Sequence, residues 1–310
     1  MLKQLVDRLT AVSIVGVDLG SSWLKLAEVA SSNGQVILRR CAVAPIGQGD
    51  VTSVLKQLTS KAGMATTPVA VGIASPEVIV KPLALPPMPK KELASAIRLE
   101  AEQAILNGHT LSEMAVDWYP LSSTSKDLLR GLLAVAPRAA ITARMQPVKA
   151  AGLRPVVVDV EGLALWNAYW VLVGSREPSP KSVLLINIGA RTTNLVIAKG
   201  PDELLFVRDL QLGTAALAGG RETEWVSEVR DSLSYVHSQA GLRALDAVSV
   251  TGGGSGPTLI PLLKAAVPSS PVTFWNPLTQ LARDASSPSV EEALGPLLAV
   301  AIGLSLRQRS

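Results

Sequence analysis

The sequence predicts an α/β fold with mixed sheets, arranged as two lobes. Hydrophobic residues make up 48% of the chain and aromatic residues only 4%, which is typical of strands buried on both faces and of the helices that cover them. Strand-like runs first come in hairpin-linked groups and later alternate with helix-like runs. A strand–turn–strand pattern near the start of the chain also recurs in the second half, and 310 residues suffice for about two domains.

Short runs rich in Val, Ile and Leu, bounded by Gly, Pro, Asn or Ser, are interpreted as strands. In order, the predicted strands are 13–19, 23–30, 34–41, 68–74, 77–85, 115–121, 128–136, 155–159, 181–188, 193–198, 204–209, 247–251 and 271–275. Longer runs with apolar residues every three or four positions are interpreted as helices. These are 50–62, 89–105, 137–151, 160–173, 222–239, 256–266 and 290–306. Pro89 opens the second helix, where its fixed φ is favourable, whereas Pro147 lies inside the third and predicts a kink.

The recurring pattern is VGVDLGSSWLKLAEV at 15–29 and LLINIGARTTNLVIA at 184–198. Each copy consists of a strand, a tight turn and a second strand. The copies align at three pairs of positions, which are Asp18 with Asn187, Gly20 with Gly189, and Leu26 with Leu195. We therefore expect two similar lobes facing each other, although two unrelated hairpins would give the same short pattern.

Both turns carry groups that suit phosphate. Successive backbone N–H groups in a glycine turn form a concavity for anions, hydroxyls and a lysine add donors, and a carboxylate suits hydrated Mg²⁺. In a third stretch, AVSVTGGGSGPTLIPLL at 247–263, a predicted strand is followed by three glycines and then a predicted helix. Consecutive glycines allow the flat ring of a ligand to approach the backbone closely, and the N-terminus of the helix favours anionic groups. The predicted nucleotide-binding residues are Asp18, Gly20, Ser21, Ser22, Lys25, Asn187, Gly189, Ala190, Thr192, Thr193, Gly252, Gly253 and Gly254, and Asp18 is also the predicted weak Mg²⁺ ligand.

Simpler interpretations exist for two of these residues. Asp18 could cap its own turn, and Lys25 could be a solvated strand lysine.

Composition argues against several other classes of site. Cys41 is the sole cysteine, so no intrachain disulfide can form, and two histidines argue against a histidine-rich metal site or a histidine-based triad. The net charge of +4 is scattered and has no interleaved aromatic stripe, so nucleic-acid binding is not expected. The longest apolar stretches, such as 296–306, fall short of the roughly 20 residues of a membrane span, and no signal-peptide core follows Lys3. We expect a cytoplasmic protein.

The order of the three motifs resembles that of the actin-like ATPase superfamily, with its two phosphate motifs and its adenosine motif. Four further stretches narrow the resemblance to the PilM family, the cytoplasmic actin-like proteins of type IV pilus assembly. They are VKPLALPPMPKKELASAIRLEAEQAI, AGLRPVVVDVEGLAL, LLFVRDLQLG and EVRDSLSYVHSQ. The resemblance implies an actin-like, ribonuclease H-like two-lobed fold with an inserted 1C subdomain of SHS2 type, which is also found in FtsA.

The same resemblance assigns domain boundaries. It implies that 1–75 and 152–178 form subdomain 1A, that 76–151 form the inserted subdomain 1C, and that 179–310 form the second lobe. The Ser- and Pro-rich stretch GSREPSPKS at 174–182 is the predicted linker.

The resemblance implies an adaptor and not an enzyme. Such a protein would bind the short cytoplasmic N-terminal tail of PilN, a single-pass inner-membrane protein, in a groove between 1A and 1C, and so associate with the pilus platform at the inner face of the inner membrane. The implied groove residues are Leu83, Leu85, Pro86, Met88, Leu93, Ile97 and Glu100. Leu93 and Ile97 could equally pack their helix onto its sheet. On this assignment, Glu100→Arg or Leu85→Asp abolishes tail binding.

ATP and Mg²⁺ are the cofactors that the resemblance implies, but two departures from the family pattern weaken this expectation. Asn187 stands where the family usually has Asp, and a neutral amide attracts a metal ion less. Only a few residues join LQLGTAALAGG to EWVSEVRDSL, where the family carries subdomain 2B, one wall of the adenine pocket. We expect a reduced or absent 2B and weak ATP binding, weaker still in Asp18→Ala.

Alternative functions on the same fold stay open. A phosphotransferase such as a sugar or acetate kinase needs a base near the acceptor hydroxyl, yet Asp18 is the sole carboxylate at the turns of the three motif stretches. A second alternative is an actin-like subunit of a type II secretion platform, which usually continues into a membrane span. A third is an FtsA-like protein, which carries a C-terminal amphipathic membrane tail. This sequence ends at LRQRS after an ordinary packed helix, so the separate adaptor is favoured.

Overall fold

Two five-stranded sheets and one three-stranded sheet form the framework of the molecule. The computed structural model describes residues 14–32, 35–105, 108–121, 127–174, 181–282 and 290–307. Most of the predicted linker at 174–182, and all of residues 1–13, lie outside the described residues.

The first sheet has the strand order β3-β2-β1-β4-β8. These strands are β1 (Val15–Leu19), β2 (Trp23–Ser32), β3 (Gln35–Pro45), β4 (Pro68–Ile73) and β8 (Arg154–Val160). The first three form antiparallel hairpins, and β4 and β8 add in parallel. Every residue of β1 and β4 is buried, as expected for strands covered on both faces.

The second sheet repeats this design strand for strand. Its order is β11-β10-β9-β12-β13, again with two antiparallel hairpins followed by two parallel additions. Its strands are β9 (Ser182–Ile188), β10 (Thr193–Lys199), β11 (Leu204–Leu210), β12 (Ala247–Thr251) and β13 (Val272–Phe274). The short internal repeat seen in the sequence therefore extends to a complete sheet in each lobe, and the interpretation as two unrelated hairpins is wrong.

The third sheet is inserted between β4 and β8 and has the antiparallel order β5-β7-β6. It consists of β5 (Ile79–Leu85), β6 (Met114–Pro120) and β7 (Leu129–Pro137). Helix α2 (Lys90–Ala104) covers one face, where Ile97 and Ala101 pack against Met114, Leu133 and Val135. All of these elements fall inside 76–151, the segment assigned to the inserted subdomain.

Seven further α-helices are present among the described residues. They are α1 (Val51–Lys61), α3 (Arg138–Ala150), α4 (Glu161–Leu172), α5 (Thr214–Ala218), α6 (Glu222–Ala240), α7 (Ile260–Ala266) and α8 (Ala299–Ser305). None of the helices in the described part of the chain is both long and apolar enough to cross a bilayer.

Helices α4 and α8 form the shared core between the two five-stranded sheets. They contribute to one apolar cluster that joins Val29 and Leu38 of the first sheet to Val183 and Val196 of the second. The two helices approach so closely that a Cβ on Gly303 would lie 1.8 Å from the Ala164 carbonyl oxygen. The lobes are therefore held together by the packing of these two helices.

All thirteen predicted strands are confirmed, whereas two of the predicted helices that contain prolines are each divided into two elements. Pro296 lies in a 3-10 helix over 292–298 that precedes α8, so the predicted helix 290–306 is two elements. The helix predicted over 256–266 likewise divides into a 3-10 turn at 257–259 and α7. Helix α3 continues through Pro147 into its last turn, and the kink stays a prediction. The five-residue α5, flanked by glycines, was not predicted.

Between α5 and α6 the chain has only residues 219–221. No strand or helix is inserted at this point, where the sequence predicted a reduced or absent subdomain 2B.

Candidate functional site

The turns of the two repeated hairpins and the triple-glycine corner meet at one cavity of about 220 Å³ between the five-stranded sheets. Of the predicted nucleotide-binding residues, all except Thr193 line it. These are Asp18, Gly20, Ser21, Ser22, Lys25, Asn187, Gly189, Ala190, Thr192, Gly252, Gly253 and Gly254. Four residues that were not predicted complete the lining, namely Trp23, Glu161, Thr214 and Leu297. We call this cavity the interlobe cleft.

Thr193 has a structural role instead. Its side chain is fully buried, and its hydroxyl donates a 2.5 Å hydrogen bond to the Leu212 carbonyl and accepts one from the Trp225 indole N–H. Successive residues along a strand point to opposite faces. Thr192 lines the cleft, so the side chain of Thr193, one residue later, points into the core. Thr193 therefore fixes β10 to the core and does not face the cleft.

The two hairpins bring their equivalent polar residues into the same register. Asp18 is paired with Lys25 across β1 and β2, and Asn187 with Asn194 across β9 and β10. Lys25 Nζ lies 2.8 Å from Asp18 Oδ2, and both side chains are buried. In the second hairpin, Asn187 Nδ2 donates a 2.6 Å hydrogen bond to Asn194 Oδ1. Neither simple interpretation of Asp18 and Lys25 applies, since the pair forms a buried ion pair.

The amide pair of the second hairpin continues into a buried carboxylate. Asn194 Nδ2 donates to Asp209 Oδ1 at 2.7 Å, and the Ser75 backbone N–H donates to Asp209 Oδ2 at 3.0 Å. Burial raises the pKa of Asp209 to about 6, although these two hydrogen bonds act in the opposite direction. Asp209 therefore links the second lobe to the segment that follows β4. Because Asn187 is neutral, it does not place a second negative charge near the buried Asp209 carboxylate.

Glu161 is the functional candidate that the sequence reasoning missed. It is the first residue of α4 and lines the cleft with Asp18, although it lies outside the three motif stretches. Arg144 of α3 holds it, with Nη2 2.6 Å from Glu161 Oε1, and also donates from Nε to the Gly72 carbonyl at 2.7 Å. Burial, and then the nearby charge of Asp18, raise the pKa of Glu161 to about 7 despite Arg144. The available signal was a carboxylate directly after the apolar strand VVVDV.

The triple glycine is required by packing within the protein. Gly252 has φ +94°, and a Cβ there would lie 2.5 Å from the Ile188 carbonyl oxygen. A Cβ on Gly254 would lie 2.3 Å from Thr214 Cγ2. The corner between β12 and the following turn thus packs against the end of β9, which is how the third motif reaches the cleft.

A second cavity, of about 370 Å³, lies between the first sheet and the three-stranded sheet, and we call it the inter-sheet groove. One wall is residues 157–160 of β8, and the other is the face of β6 and β7 opposite α2. Apolar side chains that include Ile73, Ile141 and Leu163 also line the groove. It contains one ion pair, in which Arg307 makes two hydrogen bonds of 2.5 and 2.7 Å to Asp159 while its guanidinium lies 5.6 Å from the Tyr119 ring centre.

None of the seven groove residues implied by the resemblance lines this cavity. They are Leu83, Leu85, Pro86, Met88, Leu93, Ile97 and Glu100. Leu83 and Ile97 belong to the cluster between α2 and the three-stranded sheet, and Glu100 pairs with Lys81 at 3.0 Å. The physical reason is strand alternation, because Ile79 and Leu83 of β5 face α2 while Val78 faces the groove. The alternative that Ile97 packs its helix onto the sheet is the observed arrangement.

Comparisons with known proteins agree with this geometry. The family model "Type IV pilus assembly protein PilM" matches residues 16–220. A solved structure described as the PilM-PilN type IV pilus biogenesis complex is similar over 95% of this chain and 98% of that chain, with 27% sequence identity and a TM-score of 0.78. The cytoplasmic domain of EpsL, an inner-membrane component of the type II secretion system of Vibrio cholerae, shares the fold at 13% identity and TM-score 0.51, over 95% and 94% of the two chains. The chain therefore belongs to the family of the type IV pilus assembly protein PilM and has its actin-like fold.

Proposed function

We propose that this chain is an adaptor of the type IV pilus assembly platform, and that its inter-sheet groove binds the cytoplasmic N-terminal tail of a PilN-like inner-membrane protein. The observation that carries the proposal is the groove itself, a cavity of about 370 Å³ between the inserted sheet and the sheet of the first lobe. The similarity to a structure of a PilM-PilN complex, at TM-score 0.78 over nearly the whole chain, supports PilN as the partner.

The lining of the groove suits a short extended peptide with apolar anchors. Val158, Val160, Leu132 and Ile141 supply an apolar surface, and small alanines on β6 and β7 leave room beside it. Peptides that bind in such a groove place leucine-sized side chains in the apolar pockets and use their main chain for hydrogen bonds.

The charge of the groove suits a basic tail. Its lining carries two carboxylates, Asp117 and Asp159, against the single guanidinium of Arg307. Cytoplasmic segments next to a membrane span are enriched in Lys and Arg. A basic tail would therefore find a complementary surface, and binding it would hold this chain at the inner face of the inner membrane.

The interlobe cleft has the donors of a phosphate site but is small. Lys25, the hydroxyls of Ser21, Ser22 and Thr192, and the turn backbones would hold phosphate oxygens. Its volume of about 220 Å³ lies below the range of about 300–1,000 Å³ that is typical of ligand pockets. Among the described residues no group of three or more His, Cys, Asp and Glu is placed to hold a metal ion, and Asp18 is already paired with Lys25. We propose weak ATP and Mg²⁺ binding, with no significant turnover.

A synthetic peptide of the PilN-like tail tests the proposal by calorimetry. Ala134 of β7 lines the groove and is half-buried, so Ala134→Phe places a ring in the binding space without removing a core contact. We expect at least a tenfold loss of affinity with an unchanged melting temperature. Leu85→Asp and Glu100→Arg, on the other side of the sheet, are matched controls that should bind normally. Loss of binding in these two, with normal binding by Ala134→Phe, would locate the partner site on α2 and β5.

One observation favours a phosphotransferase as a second candidate. Glu161, with a pKa of about 7, shares the cleft with Lys25 and has the protonation behaviour of a general base near neutral pH. Robust phosphoryl transfer from ATP by the purified protein, lost in Glu161→Gln, would support that function. We expect no such transfer, because the carboxylate is held by Arg144.

A further inference from the structure

We infer that Trp23 is the residue on which the flat ring of a bound nucleotide stacks, and that the interlobe cleft therefore accepts adenine and guanine nucleotides alike. This inference rests on the weak ATP binding proposed above and states what the cleft recognises. It follows from the apolar part of the cleft lining, which the sequence motifs did not predict.

The large apolar side chains of the cleft are Trp23 and Leu297. The other lining residues are glycines, an alanine, or residues with polar or charged side chains. The hydroxyls, the turn backbones and Lys25 suit phosphate oxygens, whereas the indole and the leucine suit an uncharged ring. The cleft therefore combines the two kinds of surface that a nucleotide needs.

Strand alternation turns the side chain of Trp23 towards the cleft. Trp23 is the first residue of β2, and Lys25, two residues later on the same face of the strand, also lines the cleft. Leu24, between them, is fully buried on the opposite face. Trp23 itself is half-buried, and no other aromatic ring in the described part of the chain stacks on it. Part of the indole surface is therefore open to a ligand in the cleft.

Leu297 is fixed against the triple-glycine corner of the second lobe. The Gly252 backbone N–H donates to the Pro296 carbonyl at 3.1 Å. Beside this bond, a Cβ on Gly253 would lie 2.7 Å from Leu297 Cδ2. The second lobe thus contributes an apolar wall made of glycine backbone and one leucine, and the first lobe contributes the indole of Trp23. A flat ring that enters the cleft would contact both.

A base bound in this way is recognised by its face and not by its edge. Every base has a π-face, so stacking is tolerant of base identity, whereas strong discrimination requires hydrogen bonds to the polar groups of the ligand. Only residues 219–221 join α5 to α6, so no inserted element forms a further wall at this point. We therefore expect ATP and GTP to bind alike, and CTP, with its smaller ring, to bind less tightly.

Nucleotide titrations of the 310-residue chain test the inference with two readouts. Calorimetry gives the affinities for ATP, GTP and CTP. Intrinsic fluorescence reports on stacking, because Trp23 is the one of the six tryptophans that lines the cleft. We expect ATP and GTP to bind within about threefold of each other and both to change the fluorescence.

Two variants of Trp23 separate stacking from other effects. Trp23→Leu removes the ring and should weaken ATP binding at least about fivefold. Trp23→Phe keeps a smaller ring, so it should bind ATP within about threefold of the wild type while the fluorescence change is lost. Trp118→Phe, in the cluster between α2 and the three-stranded sheet, is the matched control and should retain both the affinity and the fluorescence change. Melting temperatures report whether each variant is folded.

The outcomes separate this inference from the ATP binding on which it rests. Normal or tighter ATP binding by folded Trp23→Leu would overturn stacking and leave ATP binding standing. If Trp23→Leu does not fold, an unchanged fluorescence response in Trp23→Phe overturns stacking instead. A preference of more than about tenfold for ATP over GTP would overturn the expected tolerance. If the wild type binds no nucleotide, the proposed ATP binding fails and this inference fails with it.

Discussion

At the scale of single residues, the cleft depends on charged side chains that are buried and paired. Asp18 and Lys25 form an ion pair 2.8 Å apart, with 7% and 10% of their side chains exposed. Removing one partner of such a pair leaves a desolvated charge, which is the expensive outcome, whereas replacing both partners is tolerated. The equivalent positions of the second hairpin are the neutral amides Asn187 and Asn194. The same pair of positions is therefore joined by an ion pair in the first lobe and by an amide hydrogen bond in the second.

A double-mutant cycle tests this pairing. We expect Lys25→Met to lower the free energy of unfolding by about 3 kcal/mol, because it leaves the Asp18 carboxylate unpaired. The double variant Lys25→Met with Asp18→Asn should be more stable than Lys25→Met alone. Urea denaturation of the wild type, Lys25→Met, Asp18→Asn and the double variant completes the cycle. Losses that simply add, with the double variant less stable than Lys25→Met alone, would show that the two side chains do not interact in solution.

Glu161 gives the chain a predictable pH dependence. Its pKa of about 7 in the folded protein lies above the usual value of 4.5, so the folded state retains this proton at pH values where the unfolded chain has lost it. The stability due to this group is therefore highest below about pH 4.5, falls as the pH rises to about 7, and is constant above. The full change is on the order of 3 kcal/mol. Asp209, with its pKa raised to about 6, acts in the same direction.

The variant Glu161→Gln tests this dependence. It removes the titrating group, so the loss of unfolding free energy between pH 5 and pH 7.5 should become smaller than in the wild type. The exposed Glu92→Gln serves as the control and should keep the wild-type difference. An unchanged difference in Glu161→Gln would mean that Glu161 titrates normally.

At the scale of secondary-structure elements, close backbone contacts fix α8 in the core. A Cβ on Gly303 would come within 1.8 Å of a backbone oxygen of α4, which cannot move aside as a flexible side chain can. Gly303→Ala should therefore lower the free energy of unfolding by about 3 kcal/mol. Gly256 is a matched control, since its φ of 172° is extended and a Cβ added there would have no atom within 4 Å. Gly256→Ala should change stability by less than about 0.5 kcal/mol in urea denaturation.

Strands were easier to predict than helices because their signals are local. Apolar runs bounded by Gly, Pro, Asn or Ser indicate the strands, and the hairpin motifs indicate the cleft. Pro296 lies inside its 3-10 helix and Pro261 in the first turn of α7, and each lacks the N–H that would continue an α-helix from the preceding turn, an effect that apolar periodicity does not reveal. The groove could not be assigned from sequence, since it depends on which face of β5 is turned towards α2. Glu161 was missed because only tertiary packing brings it to Asp18.

At the scale of the whole molecule, the two lobes share one sheet topology, and the first lobe carries an inserted sheet. Both five-stranded sheets have the same order and strand directions. The connection from β4 to β8 carries the three-stranded sheet, whereas the equivalent connection from β12 to β13 carries only a 3-10 turn and α7. The inter-sheet groove exists because the inserted sheet faces the last strand of its own host sheet, so its location is a consequence of the topology.

On the proposed function, a peptide tail bound in the inter-sheet groove covers β8. Amide hydrogen exchange of the chain, with and without the synthetic tail peptide, measures this protection. Bound peptide should slow exchange in β8 (Arg154–Val160), and to a smaller extent in β6 (Met114–Pro120), while α2 (Lys90–Ala104) stays unchanged. Protection confined to α2 and β5, with none in β8, would contradict the account.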